Sequence, residues 1–394
     1  MKLVNRPWNG LVGAACAIVW ILVGASSALA QQEPVPNAGF LLSGYGTVGF
    51  TALPEEDVAR NDFTVSLNPV ILYSLGEDIL FESEFEIGLE GGATEVALEY
   101  GQINYLGFER ILFSAGKFLV PFGVFGERLH PTWINKLPSM PLVYGHAHGG
   151  VAEGSLLPIM SDVGAMMRFN QPFAELWAFD LSVYLTQGPA EVVEGVDGSD
   201  GHAHAVLPES TGSMASVVLN QGSAAQQFDI PSVAFGANFS DNNDNKMIGA
   251  RAGLVRGGGL EFYVSGFHAM YNEGDYLDIY GTSLSAEWRS GPVEVRGEGA
   301  ILWQEFEEPD GTFPTMRSPG YYLQTSYRFG NWEPVVRWSH LTNAKVSDEV
   351  VRDDLRQMAF GFNYWLEPSV PIKAAFEINP DGSDRLLFQW AYGF

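Results

Sequence analysis

Hydrophobic and polar side chains alternate with a period of two along most of this chain. In Asp78–Glu90, Phe81, Phe85, Ile87 and Leu89 alternate with Glu82, Glu84, Glu86 and Glu90, so one face is greasy and the other is a row of carboxylates. In Phe63–Tyr73, Phe63, Val65, Leu67, Ile71 and Tyr73 oppose Thr64, Ser66 and Asn68. In Arg356–Leu366, Met358, Phe360, Phe362 and Tyr364 oppose Gln357, Gly361 and Asn363. A period of two is the signature of a strand with two unlike faces. Soluble sandwiches alternate too, but their strands average nearer five or six residues. These runs are longer and match the length needed to cross a bilayer at a tilt.

The pattern predicts strands over 39–51, 62–74, 78–90, 94–107, 110–119, 161–170, 174–187, 246–256, 260–271, 276–289, 292–305, 319–329, 332–341, 354–366, 370–379 and 384–394. The connections fall into short turns, such as 76–77, 257–259 and 330–331, and longer polar ones at 52–61, 120–160, 188–245, 306–318 and 342–353. Membrane barrels keep short turns on the periplasmic side and long loops outside. The two classes alternate correctly only if 188–245 is one outside loop, so Ser232–Ser240 is assigned to that loop, as a hairpin above the membrane. The fold class expected is all-β: a transmembrane antiparallel β-barrel of about sixteen strands.

The N-terminus reads as an export signal. Lys2 and Arg6 precede an apolar core at Leu11–Val23, and Ala28-Leu29-Ala30 is a small-x-small cleavage site. Residues 1–30 are expected to be removed, leaving a single barrel domain at 31–394. The lone cysteine, Cys16, lies in the leader, so the mature chain has no thiol. The whole chain carries 21 Lys+Arg against 47 Asp+Glu, a net charge of −26; loss of Lys2 and Arg6 makes this −28. That balance excludes nucleic acid as a natural partner. Aromatic residues at 13% and 45 glycines suit lipid-facing girdles and curved strands.

At the C-terminus, Leu386, Phe388, Trp390, Tyr392 and Phe394 fall on alternate positions, against Leu387, Gln389, Ala391 and Gly393. A chain ending on such a strand resembles the outer-membrane β-barrels of Gram-negative bacteria. The resemblance implies that the last strand closes the barrel and is recognised by the assembly machinery. Further segments are similar to the phosphate-selective porin O and P family: Phe81-Glu-Ser-Glu-Phe-Glu-Ile87, Gly116-Lys-Phe-Leu-Val-Pro-Phe-Gly123, Asn242-Asn-Asp-Asn-Lys-Met247 and Ser290-Gly-Pro-Val-Glu-Val-Arg-Gly-Glu298. That resemblance implies a sixteen-stranded passive channel, often trimeric, whose third outside loop folds inward. Phosphate-selective members are rich in lumen Arg and loop Lys, whereas the mature chain here has five lysines.

With the apolar rows facing lipid, the opposite set faces a wet interior: Glu82, Glu84, Glu86, Arg168, Arg251, Glu294, Arg296, Glu298, Arg337, Lys373 and Glu377. Opposed acidic and basic rows would set up a transverse field and an ion preference, and the acidic balance favours cations. Loop 120–160 is the expected constriction. Its Glu127, Arg128, His130 and Lys136 lie among Pro121, Pro131, Pro138 and Pro141, and Trp133 and Ile134 give it apolar surface to pack on a wall.

His146/His148 and His202/His204, the second pair near Asp197 and Asp200, form the only metal-ligand pattern, and it is short and lacks cysteine. No cofactor is expected. The chain reads as a porin for small hydrophilic solutes or ions, embedded in the lipid and lipopolysaccharide of the bacterial outer membrane. The alternative is a substrate-specific channel or surface-binding barrel capturing ligand with loop 188–245. A barrel enzyme is not expected: the strand histidines, His268 and His340, come with no recognisable nucleophile in the sequence.

Overall fold

The computed structural model describes residues 38–53, 60–90, 93–144, 156, 161–191, 228, 230–231, 233–235, 243–380 and 384–394. Sixteen strands follow one another: β1 (Ala38–Leu53), β2 (Arg60–Leu75), β3 (Ile79–Glu90), β4 (Ala93–Tyr105), β5 (Ile111–Leu119), β6 (Ser161–Pro172), β7 (Trp177–Thr186) and β8 (Met247–Arg256). They continue as β9 (Leu260–Met270), β10 (Asp278–Ser290), β11 (Val293–Glu305), β12 (Thr315–Tyr327), β13 (Trp332–Leu341), β14 (Leu355–Glu367), β15 (Val370–Ile378) and β16 (Arg385–Gly393). Each pairs antiparallel with the next, and β1 pairs with β16, so the sheet closes on itself. No described helix is long and apolar enough to cross a membrane. The leader expected at 1–30 lies outside the described residues.

The closing seam explains the terminal pattern. Trp390 stands opposite Val48 and Phe388 opposite Phe50. Phe394 and Gly44 exchange backbone hydrogen bonds at 2.9 and 3.1 Å, and Ser43 Oγ donates to the Phe394 carbonyl at 2.6 Å. Phe388, Trp390, Tyr392 and Phe394 point outward and are exposed, whereas Leu387 and Ala391 point inward and are buried. Tyr392 and Phe394 lie over the glycines of β1. A Cβ at Gly46 would sit 2.6 Å from the Tyr392 hydroxyl and 2.8 Å from the Ser66 carbonyl oxygen.

The structure refines three expectations. First, β12 begins at Thr315, four residues before the expected start. Inward-facing Met316 is buried against Val346 of a short hairpin, Ala344–Val346 with Glu349–Arg352, inside the connection read as a polar loop. Second, Val233–Ala234 pairs with Ala190–Glu191, and Val233 and Phe235 are buried inside the barrel mouth instead of standing above it. Phe235 packs edge-on against Phe267 of β9, with ring centroids 5.8 Å apart.

Third, the interior is not uniformly wet. Phe118 near the end of β5 and loop residues Phe122, Phe125 and Leu129 join inward-facing Met166, Tyr184, Phe267, Leu302 and Tyr322 in a dry cluster. A second cluster gathers Leu137, Val335, Ala359, Ala375 and Leu387. The alternation identifies which residues point inward, but not whether water or another segment meets them.

The wall is uneven at one place. β5 turns inward early, so it pairs with β4 only over Gly101–Tyr105. The remaining 93–100 stretch of β4 has β3 on one side and no strand partner on the other among the described residues. Lys117 Nζ donates to the Leu98 carbonyl there at 2.7 Å.

Gly46→Val forces a branched side chain against Tyr392 and the neighbouring backbone. It is expected to destabilise the barrel by about 1–3 kcal/mol, read as a lower denaturant midpoint for refolding into vesicles.

Candidate functional site

The region between Val120 and Tyr144 is anchored to the inside of the wall along its whole length. At its start, Gly123 has a left-handed backbone (φ 70°), and a Cβ there would meet Glu298 Oε1 at 2.1 Å, so only glycine fits. Gly123 N donates to Ser265 Oγ at 2.9 Å, and Arg251 donates to the Gly123 carbonyl at 2.9 Å. Glu298 Oε2 accepts from Val124 N at 2.9 Å and from Ser285 Oγ at 2.9 Å.

A single π-helical turn over Phe125–Leu129 then places Glu127 between two guanidinium groups, those of Arg168 and Arg251. Burial raises the Glu127 carboxyl, but the two arginines outweigh it and hold the group below the usual carboxylate range. Arg128 pairs with Glu261 at 2.9 Å and donates to the Tyr263 hydroxyl at 3.0 Å, while the Arg251 guanidinium lies 5.0 Å from the Tyr263 ring centre.

The second half of the loop crosses to β11–β16. Lys136 pairs with Glu294 at 3.2 Å and with Glu333. Lys373 donates to the Thr132 and Asn135 carbonyls, and Asn363 donates to the Lys136 carbonyl at 2.8 Å. Ser139 meets both Glu377 and Arg337, whose Nη1 donates to the Ser139 carbonyl at 2.8 Å. Leu137, fully buried, nests where Gly361 has no side chain: a Cβ there would sit 2.2 Å from Leu137 Cδ2.

His130 has its ring buried. Burial lowers its pKa to about 4, while the nearby Gly126 backbone and the charge of Glu86 pull the other way.

The expected basic row is therefore not a free one. Arg251, Arg296 and Arg337 are buried; Arg296 is tied to Glu287 and Glu294, and Arg337 to Glu377. A charge taken from water needs such a partner, so the arginines hold the loop and do not face a passing solute. Glu82, Glu84 and Glu86 all point inward from β3. Glu82 accepts from Gln102 and Asn104, each at 3.2 Å, and from Tyr100 at 3.5 Å. Glu84 accepts from Tyr45 at 2.6 Å. These donors are neutral; Glu84 is buried, whereas Glu82 and Glu86 are half-buried. Tyr45, Tyr100, Gln102, Asn104 and Ser139 were not singled out by sequence; the first four share the inward parity of β1 and β4.

His146, His148, His202 and His204 lie outside the described residues. No group of three or more potential metal ligands occurs among the described residues. The strand histidines face outward at the rim, each beside an aspartate: His268 with Asp278 at 2.9 Å and His340 with Asp354 at 3.2 Å.

No protein-family model matches the chain, and no curated protein matches it. Solved structures do. One is Salmonella typhi OmpF in complex with daunomycin, at 9% identity and a TM-score of 0.55, with 90% of this chain and 97% of that one covered. Another is the outer membrane channel DcaP of Acinetobacter baumannii, at 11% identity and 0.54, with 92% and 99% covered. A third is the trimer form of Vibrio cholerae OmpT, an outer membrane protein, at 9% identity and 0.53, with 91% and 99% covered. The chain has the closed sixteen-stranded barrel fold of outer-membrane porins.

The loop in its seat keeps His130 neutral down to about pH 4, whereas a solvated histidine titrates near 6.5. The seated state thus binds fewer protons between those values. Its advantage is complete above pH 6.5 and erodes as pH falls toward 4. Planar-bilayer recordings are expected to show more frequent conductance changes over that window in the wild type, and a flat response in His130→Phe.

Proposed function

We propose that the protein is an outer-membrane porin, exported with a leader that ends at Ala30, and that it passes small hydrophilic cations by passive diffusion. The carrying observation is the asymmetry of the interior. The anchors of loop 120–160 named above all lie on β6 and beyond, whereas the carboxylate row Glu82, Glu84 and Glu86 stands on β3 with only neutral hydrogen-bond donors assigned to Glu82 and Glu84. The permeation path then runs between the seated loop and the β1–β4 wall. A row of like carboxylates in a narrow, low-dielectric passage concentrates cations and repels anions.

The sequence motifs support kinship with the phosphate-selective porin O and P group, but the acidic wall argues against phosphate as the solute. Glu127, Arg128, His130 and Lys136 set the position of the constriction, and the β3 row sets its sign. In a salt gradient, the reversal potential is expected to favour cations, and Glu82→Gln/Glu84→Gln/Glu86→Gln to remove most of that preference with little loss of conductance. A wild-type reversal potential favouring anions would refute the reading.

The same reading includes a homotrimer. In hydrocarbon every backbone polar group has to be satisfied, and the 93–100 stretch of β4 has no strand on one side among the described residues. A neighbouring copy against β4 would supply the missing groups. Because the only native cysteine lies in the leader, Val96→Cys gives a single thiol on an exposed outward position of that stretch. It is expected to react slowly with a maleimide in the native assembly and quickly after dissociation; equal rates would argue for a monomer.

A further inference from the structure

The outward wall carries one feature that channel function does not use. Arg317 of β12 stands directly opposite Lys345 of the 344–352 hairpin in antiparallel register. Both side chains are exposed and face outward, since their neighbours Met316, Ser318, Ala344 and Val346 are buried inward. Neither cation has a hydrogen-bond or ion-pair partner among the described residues. The row is continued by Trp303 beside Arg317 and by Tyr280 beside Trp303, with Val350 beside Lys345 on the other side. No carboxylate interrupts it. By contrast, Arg356 on the same wall is neutralised by Asp354.

Like charges directly opposite on one sheet face repel, and such a pair is unfavourable unless an anion lies between them. Tyr280 and Trp303 are stacked, with ring centroids 5.1 Å apart and an interplanar angle of 15°. Aromatic residues of this kind sit at the level of the lipid headgroups. The pair lies at the loop end of β12, hence on the outer side, where an anionic headgroup would meet it. A guanidinium can grip a phosphate with two parallel hydrogen bonds, and an ammonium adds a point charge. In a chain of net charge −26, two uncompensated cations in directly opposed register stand out from the general field.

We propose that Arg317 and Lys345 bind the headgroup phosphate of an outer-leaflet lipid, with Trp303 against its apolar part. The proposal rests on the outer-membrane reading but is independent of which solute the barrel passes. The test uses the full barrel in phosphatidylcholine nanodiscs containing a minor fraction of lipid A, either phosphorylated or dephosphorylated, with retained lipid counted by native mass spectrometry. The wild type is expected to retain the phosphorylated form about tenfold better than Arg317→Gln/Lys345→Gln, and Arg317→Lys to retain it at an intermediate level. Unboiled gel mobility verifies that each variant is a folded barrel. Equal retention by wild type and double variant would overturn the proposal, as would equal retention of the dephosphorylated form. Displacement of the lipid by inorganic phosphate, binding equally well without lipid, would reassign the pair to a free anion and overturn the lipid assignment.

Discussion

The structure depends on one constraint: a strand inside hydrocarbon has no water to satisfy its N–H and C=O groups, so an open sheet cannot persist there. The chain meets it by returning its last strand to its first. The backbone bonds between Gly44 and Phe394 close the ladder, and the terminal aromatic rings cover the glycines beside it. An even number of antiparallel strands, sixteen, brings both ends of the barrel to the same side, which is what allows this closure.

Closure leaves an interior too wide for strand side chains to fill, and the third outside loop occupies much of it. The loop is held by two unlike means. Apolar residues such as Phe125 and Leu137 pack against inward positions where the wall is small or apolar, including Gly361, Ala359 and Ala375. Charged residues are buried as hydrogen-bonded pairs, Glu127 with two arginines and Lys136 with two glutamates. Breaking any one pair would leave a charge stranded away from water, which costs far more than the pair contributes. This ties up the buried Arg251, Arg296, Arg337 and Lys373 of the inner wall.

Identities of 9–11% with porin structures of the same fold show how little of a barrel's sequence is fixed by its architecture. What has to persist is the alternation, the turn lengths and the closing register. The outside of the barrel also has its own chemistry. An aromatic row merging into Arg317 and Lys345 faces a lipid boundary, so the lipid-facing wall is not merely greasy.

By itself the sequence determined the barrel, its strand number and the inward parity of Glu82, Arg251, Arg337 and their neighbours, because a period of two leaves each side chain only two directions. It also marked loop 120–160 as the inward one, through its prolines and the apolar Trp133 and Ile134. It could not tell which inward positions are dry. Leu387 and Ala391 read as a wet face and are buried, since that depends on where a loop remote in sequence comes to rest. Nor could it separate the arginines that hold the loop from carboxylates held by neutral donors: pairing partners such as Arg337 and Ser139 lie 198 residues apart. Those distinctions belong to the tertiary structure, where burial forces charges to find partners across the barrel.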